Sequence, residues 1–252
     1  MSRAVASRSR SRDVNRDDIP VARRSRSASP KRRGGLGLLF ACGLVFSASL
    51  ATVLFVPEWL NGTRPPASVE GIDARPSGDG RLLGHFPYPE AGVDVLVPVE
   101  AGIELHRDAA LALDAMRRSA AADGVDLRLL SGYRSHDLQK SIFFDVKSER
   151  NQSAAERAKV SAPPGYSEHS TGFAVDLGDG EDPATNLAQS FENTRAFRWL
   201  QDHAASYHFT LSFPVVNPQG VSYEPWHWRF EGSAQALEQF QAAQRLHAGR
   251  LN

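Results

Sequence analysis

The sequence predicts an α+β domain in which a small antiparallel sheet is flanked by helices. Short apolar stretches with strand spacing are interspersed with longer stretches of helical spacing. No repeated strand–helix–strand unit with a glycine-rich phosphate loop occurs, which argues against a doubly wound parallel sheet. The only cysteine, Cys42, leaves no possibility of a disulfide within the chain. The domain must therefore be held together by core packing.

The first half of the predicted domain alternates strands and helices. Valines at every second position over Val93–Val99 predict a strand, and Pro98 restricts it to an edge or to a short length. Leu105–Ala122 carries apolar residues on one face at helical spacing. Asp126–Leu130 predicts the next strand, and Ser135 is a suitable N-cap for the helix that follows.

The second half of the domain continues this pattern. Residues 184–206 are predicted to be mainly helical, and Phe197, Leu200 and Ala204 form their apolar stripe. The other predicted elements are a short helix over residues 153–160, strands over Phe173–Leu177, Phe209–Phe213 and Tyr223–Phe230, and a closing helix over Ser233–Ala248.

Charge is distributed unevenly along the chain, although the formal net charge is zero. Residues 1–33 hold 11 Lys/Arg and 3 Asp/Glu, a net charge of +8, whereas the remainder holds 18 and 26, a net charge of −8. The Arg/Ser-rich tail alone would be compatible with RNA binding. A basic tail before an acidic domain does not suggest an enzyme that acts on nucleic acid, and no nucleic-acid partner is expected. The tail is predicted to be disordered and cytoplasmic.

A run of 23 residues without a charge, Gly34–Val56, follows the basic tail. A helix needs about 20 apolar residues to cross a bilayer core, whereas the apolar core of a signal peptide is typically about 7–15 residues long. A buried soluble helix is usually shorter and amphipathic. We therefore expect an uncleaved membrane anchor with the N-terminus in the cytoplasm, because basic residues precede it. Residues 57–84 then form a linker, and residues 85–252 form a domain in the periplasm or outside the cell.

Two short stretches carry the residues from which chemistry is predicted. They are SEHSTGFAVD, which ends at Asp176, and EPWH, which ends at His227. His169, Asp176 and His227 are a sufficient ligand set for a catalytic zinc site, which keeps a fourth position open for water. Glu224 lies three residues before His227 and is the natural general base for that water. An isolated histidine is commonly structural, but the ordered pair of motifs is far more specific.

The spacing within the first motif requires a bend. Asp176 lies seven residues after His169, and residues an odd number apart on a strand point to opposite faces. The intervening Ser170-Thr171-Gly172 can re-aim one of the two side chains, because glycine readily adopts a positive φ.

These motifs resemble those of the VanY-type zinc D-alanyl-D-alanine carboxypeptidases. That superfamily also contains D-Ala-D-Ala dipeptidases, lysostaphin-type endopeptidases and the hedgehog signalling domain, so the resemblance implies their fold. It runs from about Val93 to Phe230 and includes the sequence SGYRS at residues 131–135. One departure is the sequence LSFP at residues 211–214, where members often have LRYP. Any substrate contact made by that arginine is therefore in question here.

The resemblance implies removal of the terminal D-Ala from a peptidoglycan stem peptide that ends in D-Ala-D-Ala, with one Zn²⁺ per chain. It assigns a role to seven residues. The metal ligands are His169, Asp176 and His227, the general base is Glu224, Arg134 stabilises the scissile carbonyl oxygen, and Ser167 and Gln139 help to hold the substrate.

Two alternatives remain open at this point. One is an endopeptidase on the same scaffold that cuts a cross-link or the L-Ala–D-Glu bond, although Glu-Pro-Trp-His is more typical of the carboxypeptidases. The other is a non-catalytic zinc domain that binds peptidoglycan or a partner, which the loss of Glu224 or Arg134 would have favoured. A serine mechanism is disfavoured, because the outer domain has no Gly-x-Ser-x-Gly or Ser-x-x-Lys motif with suitable partners.

Overall fold

The computed structural model of the protein describes residues 68–248. The predicted tail (residues 1–33), the predicted anchor (residues 34–56) and the start of the predicted linker (residues 57–84) lie outside the described residues. Among residues 68–248, no helix is both long enough and apolar enough to cross a membrane.

The structure confirms the α+β class of the domain. In the described part of the chain, all strand pairs are antiparallel and helices lie between them in sequence. The strands are β1 (Leu96–Glu100), β2 (Ile103–His106), β3 (Leu127–Ser131), β4 (Ala174–Asp179), β5 (Phe209–Leu211) and β6 (His227–Phe230). The α-helices are α1 (Arg107–Ala122), α2 (His136–Glu149), α3 (Ala154–Ala158), α4 (Arg195–His203) and α5 (Ala234–Ala248).

The central sheet has four strands in the order β3-β4-β6-β5, and β1 and β2 form a separate hairpin. Strand β4 is buried along its whole length. Asp176 of β4 pairs with His227 of β6, and directly opposite residues of an antiparallel pair point to the same face. On the other side of β4, Ser131 at the end of β3 lies opposite Asp176 across an irregularity in the pairing. The sheet register therefore joins the two sequence motifs and the end of β3.

The main apolar core is shared by the central sheet and by helices α1, α4 and α5. The predicted stripe is confirmed, because Phe197, Leu200 and Ala204 are all buried in this core. Helix α4 begins after Thr194, whose hydroxyl oxygen accepts a hydrogen bond from the N–H of Phe197 at 3.1 Å. The predicted N-cap of α2 is confirmed in the same way, because the hydroxyl of Ser135 accepts from the third residue beyond it.

A second, smaller apolar cluster lies beside α2. It buries Ile72 and Leu82, which belong to the predicted linker, together with Phe143 and Tyr166. The described part of the linker thus has little regular structure but packs against the domain. The domain boundaries themselves stay predictions.

Helix α1 begins two residues later than the sequence predicts. Leu105 and His106 belong to β2, which pairs with β1, and the chain turns between these strands at Gly102 with a φ of +81°. His106 then caps the helix, because its Nδ1 accepts from the N–H of Asp108 at 3.2 Å. A four-residue strand directly before a helix was not distinguishable from the first turn of that helix.

Two predicted elements are much shorter in the structure. The stretch 184–206 is broken by Leu187, which adopts a φ of +55°, so only short 3-10 turns precede α4. The predicted strand Tyr223–Phe230 begins only at His227. Pro225 has no N–H for a sheet ladder, and the N–H of His227 donates to the carbonyl of Glu224 at 3.1 Å to form a tight turn.

Gly172 is expected to be important for stability. Its φ is +74°, and a Cβ atom there would lie 2.9 Å from the backbone nitrogen of His106. Left-handed backbone costs a residue with a side chain roughly 1–2 kcal/mol, and overpacking adds about 1–3 kcal/mol. Gly172→Ala should therefore lower the free energy of unfolding, measured by urea denaturation, by about 2–5 kcal/mol.

Gly102→Ala is the matched control for this substitution. Gly102 has a similar φ of +81°, but a Cβ atom there would meet nothing within 4 Å. Gly102→Ala should therefore lower the free energy of unfolding only by the backbone component, roughly 1–2 kcal/mol. Equal losses in the two variants would contradict a specific close contact between Gly172 and β2.

Candidate active site

His169, Asp176 and His227 lie together in one buried cluster. One potential ligand atom of each residue lies within 4.8 Å of the others. His169 comes from the 3-10 turn Glu168–Thr171, whereas the other two face each other across β4 and β6. Two imidazoles and a carboxylate suit a transition metal such as zinc. This group could hold a metal ion, and its members are the three residues predicted as ligands.

One ring nitrogen of His169 makes a hydrogen bond and the other does not. Nδ1 lies 2.7 Å from the carbonyl oxygen of Gly132 and donates to it, so Nε2 carries the lone pair. Nε2 is buried and makes no hydrogen bond within the described residues, although it lies 3.3 Å from Oδ1 of Asp176. Buried polar atoms without a partner are rare. A cation beside these two atoms would satisfy both, so the donor set fits a metal.

His227 is held between two carboxylates. Its Nδ1 lies 3.1 Å from Oδ1 of Asp176, and its Nε2 lies 2.9 Å from Oε2 of Glu168. Burial lowers the pKa of His227, but the hydrogen bonds to Asp176 and Glu168 outweigh burial and raise the pKa to about 10. In the absence of a metal, the ring therefore carries a positive charge at neutral pH. A metal at Oδ1 of Asp176 would take the place of that charge.

Asp176 is ionised and has two oxygens with different partners. Its Oδ2 accepts from Nη2 of Arg134 at 3.2 Å, whereas its Oδ1 faces both imidazoles. Burial raises the pKa of Asp176, but His169, His227 and Arg134 together hold the pKa well below its usual range. One oxygen is thus anchored by Arg134, and the other is directed toward the position that a metal would occupy.

Glu224 lines the same cleft and is only 9% exposed. Its N–H donates to the carbonyl of Phe213 at 3.1 Å, and its own carbonyl accepts from the N–H of His227 at 3.1 Å. Burial raises the pKa of Glu224 to about 8; nearby carboxylates act in the same direction and nearby cations oppose them. A divalent cation at the neighbouring cluster would favour the ionised form, which a general base requires.

Arg134 is buried beside the cluster, and Gln139 lies behind it. Nη1 of Arg134 donates to Oε1 of Gln139 at 3.3 Å, and the amide nitrogen of Gln139 donates to the carbonyl of Ala162 at 2.7 Å. Gln139 is fully buried and is not among the described residues that line the cleft. In this structure it steadies Arg134, and its predicted contact with substrate stays a prediction.

Ser167 is buried at the start of the 3-10 turn and lines the cleft, as its predicted role requires. That role toward substrate stays a prediction. Beyond the predicted residues, the cleft is bordered by His85, Val160, Ser161, Ala162, Glu168, Phe213 and Trp226. Its walls are therefore partly aromatic, whereas charged groups are concentrated at the metal cluster.

Residues 102–233 match the VanY family, described as D-alanyl-D-alanine carboxypeptidase. This region contains the three candidate ligands, Arg134 and Glu224, and it covers just over half of the chain. The chain belongs to the VanY family.

Similar proteins match half or more of the chain. YodJ of Bacillus subtilis (strain 168) is 37% identical over 135 residues, which are 52% of this chain and 48% of YodJ. The chain thus spans about half the length of this curated relative. The structure of the LdcB LD-carboxypeptidase is 30% identical, with a TM-score of 0.54, and covers 72% of this chain and 91% of that one. The structure of VanYB in complex with D-alanine-D-alanine is 26% identical, with a TM-score of 0.51, and covers 66% and 92%.

Three residues that sequence analysis did not select complete this VanY-family site. Glu168 contacts His227, and Ser212 and Arg229 both contact Glu168. Glu168 falls at an unspecified position of the Ser-x-His pattern. Arg229 lies two residues after His227 on the same strand, so strand periodicity places both side chains on one face. That periodicity was the one signal that could have drawn attention to Arg229.

The candidate ligands predict the result of a metal analysis. The double variant His169→Ala/His227→Ala should lose bound divalent metal after dialysis, because Asp176 alone cannot hold the ion at the site. Elemental analysis of the purified protein measures this directly. His203→Ala, at the exposed end of α4, is the control and should keep the metal content of the natural sequence. Equal metal content in the double variant would refute the ligand assignment.

Proposed function

We propose that this chain is a zinc-dependent D-alanyl-D-alanine carboxypeptidase that removes the terminal D-Ala from peptidoglycan stem peptides. The observation that carries the proposal is one buried cleft that contains a His/Asp/His cluster, a carboxylate outside that cluster at Glu224, and Arg134. Membership of the VanY family and the similarity to VanYB, whose structure holds D-alanine-D-alanine, support the same substrate class.

The proposed cofactor is one Zn²⁺ per chain, held by Nε2 of His169, Nδ1 of His227 and Oδ1 of Asp176. These atoms are the ones that the surrounding hydrogen bonds leave directed toward a common point. Zinc bound there would supply a Lewis acid that polarises the scissile carbonyl and makes an attacking water more acidic.

Glu224 and Arg134 supply the remaining chemistry in this proposal. Glu224 takes a proton from the attacking water as the new C–O bond forms at the carbonyl carbon of the scissile amide. Arg134 donates hydrogen bonds to the carbonyl oxygen, on which negative charge develops. When the C–N bond breaks, Glu224 returns the proton to the leaving amine. The products are the shortened peptide and free D-Ala.

A second candidate is an L,D-carboxypeptidase on the same scaffold. The similarity to the LdcB LD-carboxypeptidase favours it, since that structure has both the higher identity and the higher TM-score of the two described above. The two candidates share the metal cluster and the roles of Glu224 and Arg134. They differ in the configuration of the residue that precedes the scissile bond, and therefore in the peptide that is consumed.

The role of Glu224 is tested by Glu224→Gln. Glutamine keeps the size of the side chain but cannot accept the proton, so the hydrolysis rate should fall by about 10²–10⁴-fold. Zinc content should stay unchanged, because Glu224 is not a proposed ligand. Glu238→Gln, on an exposed position of α5, is the matched control and should keep full activity. Full activity in Glu224→Gln would refute the mechanism.

Product masses in the same assay separate the candidate functions. The proposed activity converts a stem pentapeptide into a tetrapeptide plus D-Ala, and penicillin should not inhibit it, because no serine is acylated. Consumption of tetrapeptide, with the pentapeptide left intact, would favour the L,D-carboxypeptidase. Cleavage within the stem or the cross-bridge, with the terminal D-Ala retained, would favour an endopeptidase. Zinc binding without any cleavage would favour a non-catalytic binding domain.

We propose in addition that residues 34–56 anchor the protein in the cell membrane, with the N-terminus inside and the domain outside. The uncharged run and the basic residues before it support this arrangement. The full-length protein should stay in the membrane fraction through a high-salt wash and leave it only with detergent. Protease added to spheroplasts should degrade its C-terminal domain. A variant without residues 34–56 is the control, and release of the full-length protein by salt alone would contradict an integral anchor.

A further inference from the structure

Glu168 is a buried carboxylate beside the metal cluster, at the edge of the cleft. It is only 3% exposed, yet it is neither a proposed ligand nor a proposed base. Its Oε2 accepts from the hydroxyl of Ser212 at 2.6 Å and lies 2.9 Å from Nε2 of His227. Its Oε1 accepts from Nη1 of Arg229 at 3.0 Å and lies 3.4 Å from the hydroxyl of Tyr88. Both oxygens are thus fully engaged by residues from separate parts of the chain.

The charge of Glu168 is balanced on the side away from the metal cluster. Burial of an ionised carboxylate is costly unless it is paired and hydrogen-bonded. Arg229 supplies the pairing charge, and its Nε also contacts Glu231 at 2.6 Å. Ser212 donates to the oxygen that faces His227. The arrangement holds Oε2 in a fixed place.

That fixed oxygen lies against one particular nitrogen of His227. Nε2 faces Glu168, and Nδ1 faces Asp176 and the metal cluster. A metal at Oδ1 of Asp176 would replace the proton on Nδ1, and the ionised carboxylate of Glu168, which is an acceptor only, would keep the remaining proton on Nε2 and leave the lone pair on Nδ1. His169 is arranged the opposite way, because the carbonyl of Gly132 accepts from its Nδ1 and leaves its Nε2 free.

We propose that Glu168, held by Arg229 and Ser212, is a positioning residue that fixes the tautomer and orientation of His227 and so presents Nδ1 to the metal. Partners of this kind raise the basicity of a ligating imidazole, and their loss typically weakens metal binding by about 10–100-fold. This inference rests on the metal site of the proposed function. It adds a residue that is not itself a proposed metal ligand.

The first test measures zinc affinity of the purified full-length protein by competition with a chelating indicator. Glu168→Gln keeps the shape but removes the charge and one acceptor, and it should weaken zinc binding by about 10–100-fold. Glu231→Gln is the matched control: it removes the other carboxylate partner of Arg229 but does not contact His227, and it should leave the zinc affinity unchanged. Ser212→Ala should weaken zinc binding by a smaller factor than Glu168→Gln, because Glu168 then keeps its charge and its ion pair with Arg229.

The second test is a spectroscopic one that a merely structural role would not affect. Long-range ¹⁵N–¹H correlation spectra of histidine-labelled, zinc-loaded protein report which ring nitrogen bears the proton. The natural sequence should show His227 with the proton on Nε2 and His169 with the proton on Nδ1. If Glu168→Gln does not fold, this measurement on the unaltered chain still decides, and coordination of zinc through Nε2 of His227 would overturn the inference.

The outcomes separate this inference from the proposed function. If the unaltered protein binds zinc and Glu168→Gln binds it equally well, Glu168 does not position His227 and only the inference is refuted. If the unaltered protein binds no zinc, the metal site and the inference are both refuted. If it binds zinc but cleaves no stem peptide, the proposed activity fails, while the affinity and tautomer results still decide the role of Glu168.

Discussion

The pairing of Asp176 with His227 across β4 and β6 is the contact on which the candidate site depends. A slip of one residue in this register would place the two side chains on opposite faces of the sheet. The register is fixed from that opposite face, where Val175 and Leu177 of β4 and Trp228 of β6 are buried in the main core. The apolar core on one side of the sheet thus determines the geometry of the polar site on the other.

The same sheet must accommodate several buried charges. Each ion removed from water costs several kcal/mol unless close partners compensate for it. Two ion pairs do so on either side of the metal cluster: Arg134 with Asp176 at 3.2 Å and Arg229 with Glu168 at 3.0 Å. His227 lies between the two carboxylates, whose hydrogen bonds outweigh burial and raise its pKa to about 10. Its imidazole therefore carries a positive charge when no metal is bound. A divalent cation supplies positive charge at the same place, and the site is therefore electrostatically suited to one.

The features that could be predicted from the sequence are those that depend on residues close together in the chain. The N-cap at Ser135 and the apolar stripe through Phe197 follow from side-chain chemistry and helical periodicity, and the structure contains both. Strand β2 (Ile103–His106) was missed, because a short strand beside a helix has no periodicity of its own. Glu168 was missed for a different reason: its partner Arg229 lies 61 residues away, and no local pattern indicates such a contact. The types and order of the ligands were predictable, but the residues that support them depend on tertiary structure.

The missed strand also bears on the site, because it determines where one histidine can lie. A Cβ atom at position 132 would come within 2.6 Å of the carbonyl oxygen of Glu104 in β2, so only glycine allows this approach. The same carbonyl accepts from the N–H of Tyr133 at 2.8 Å and fixes the turn after β3. The carbonyl of Gly132 is thereby directed at Nδ1 of His169. One histidine is thus oriented by backbone that β2 holds in place, whereas His227 is oriented by a side chain. Substitution can remove the second support without disturbing the first.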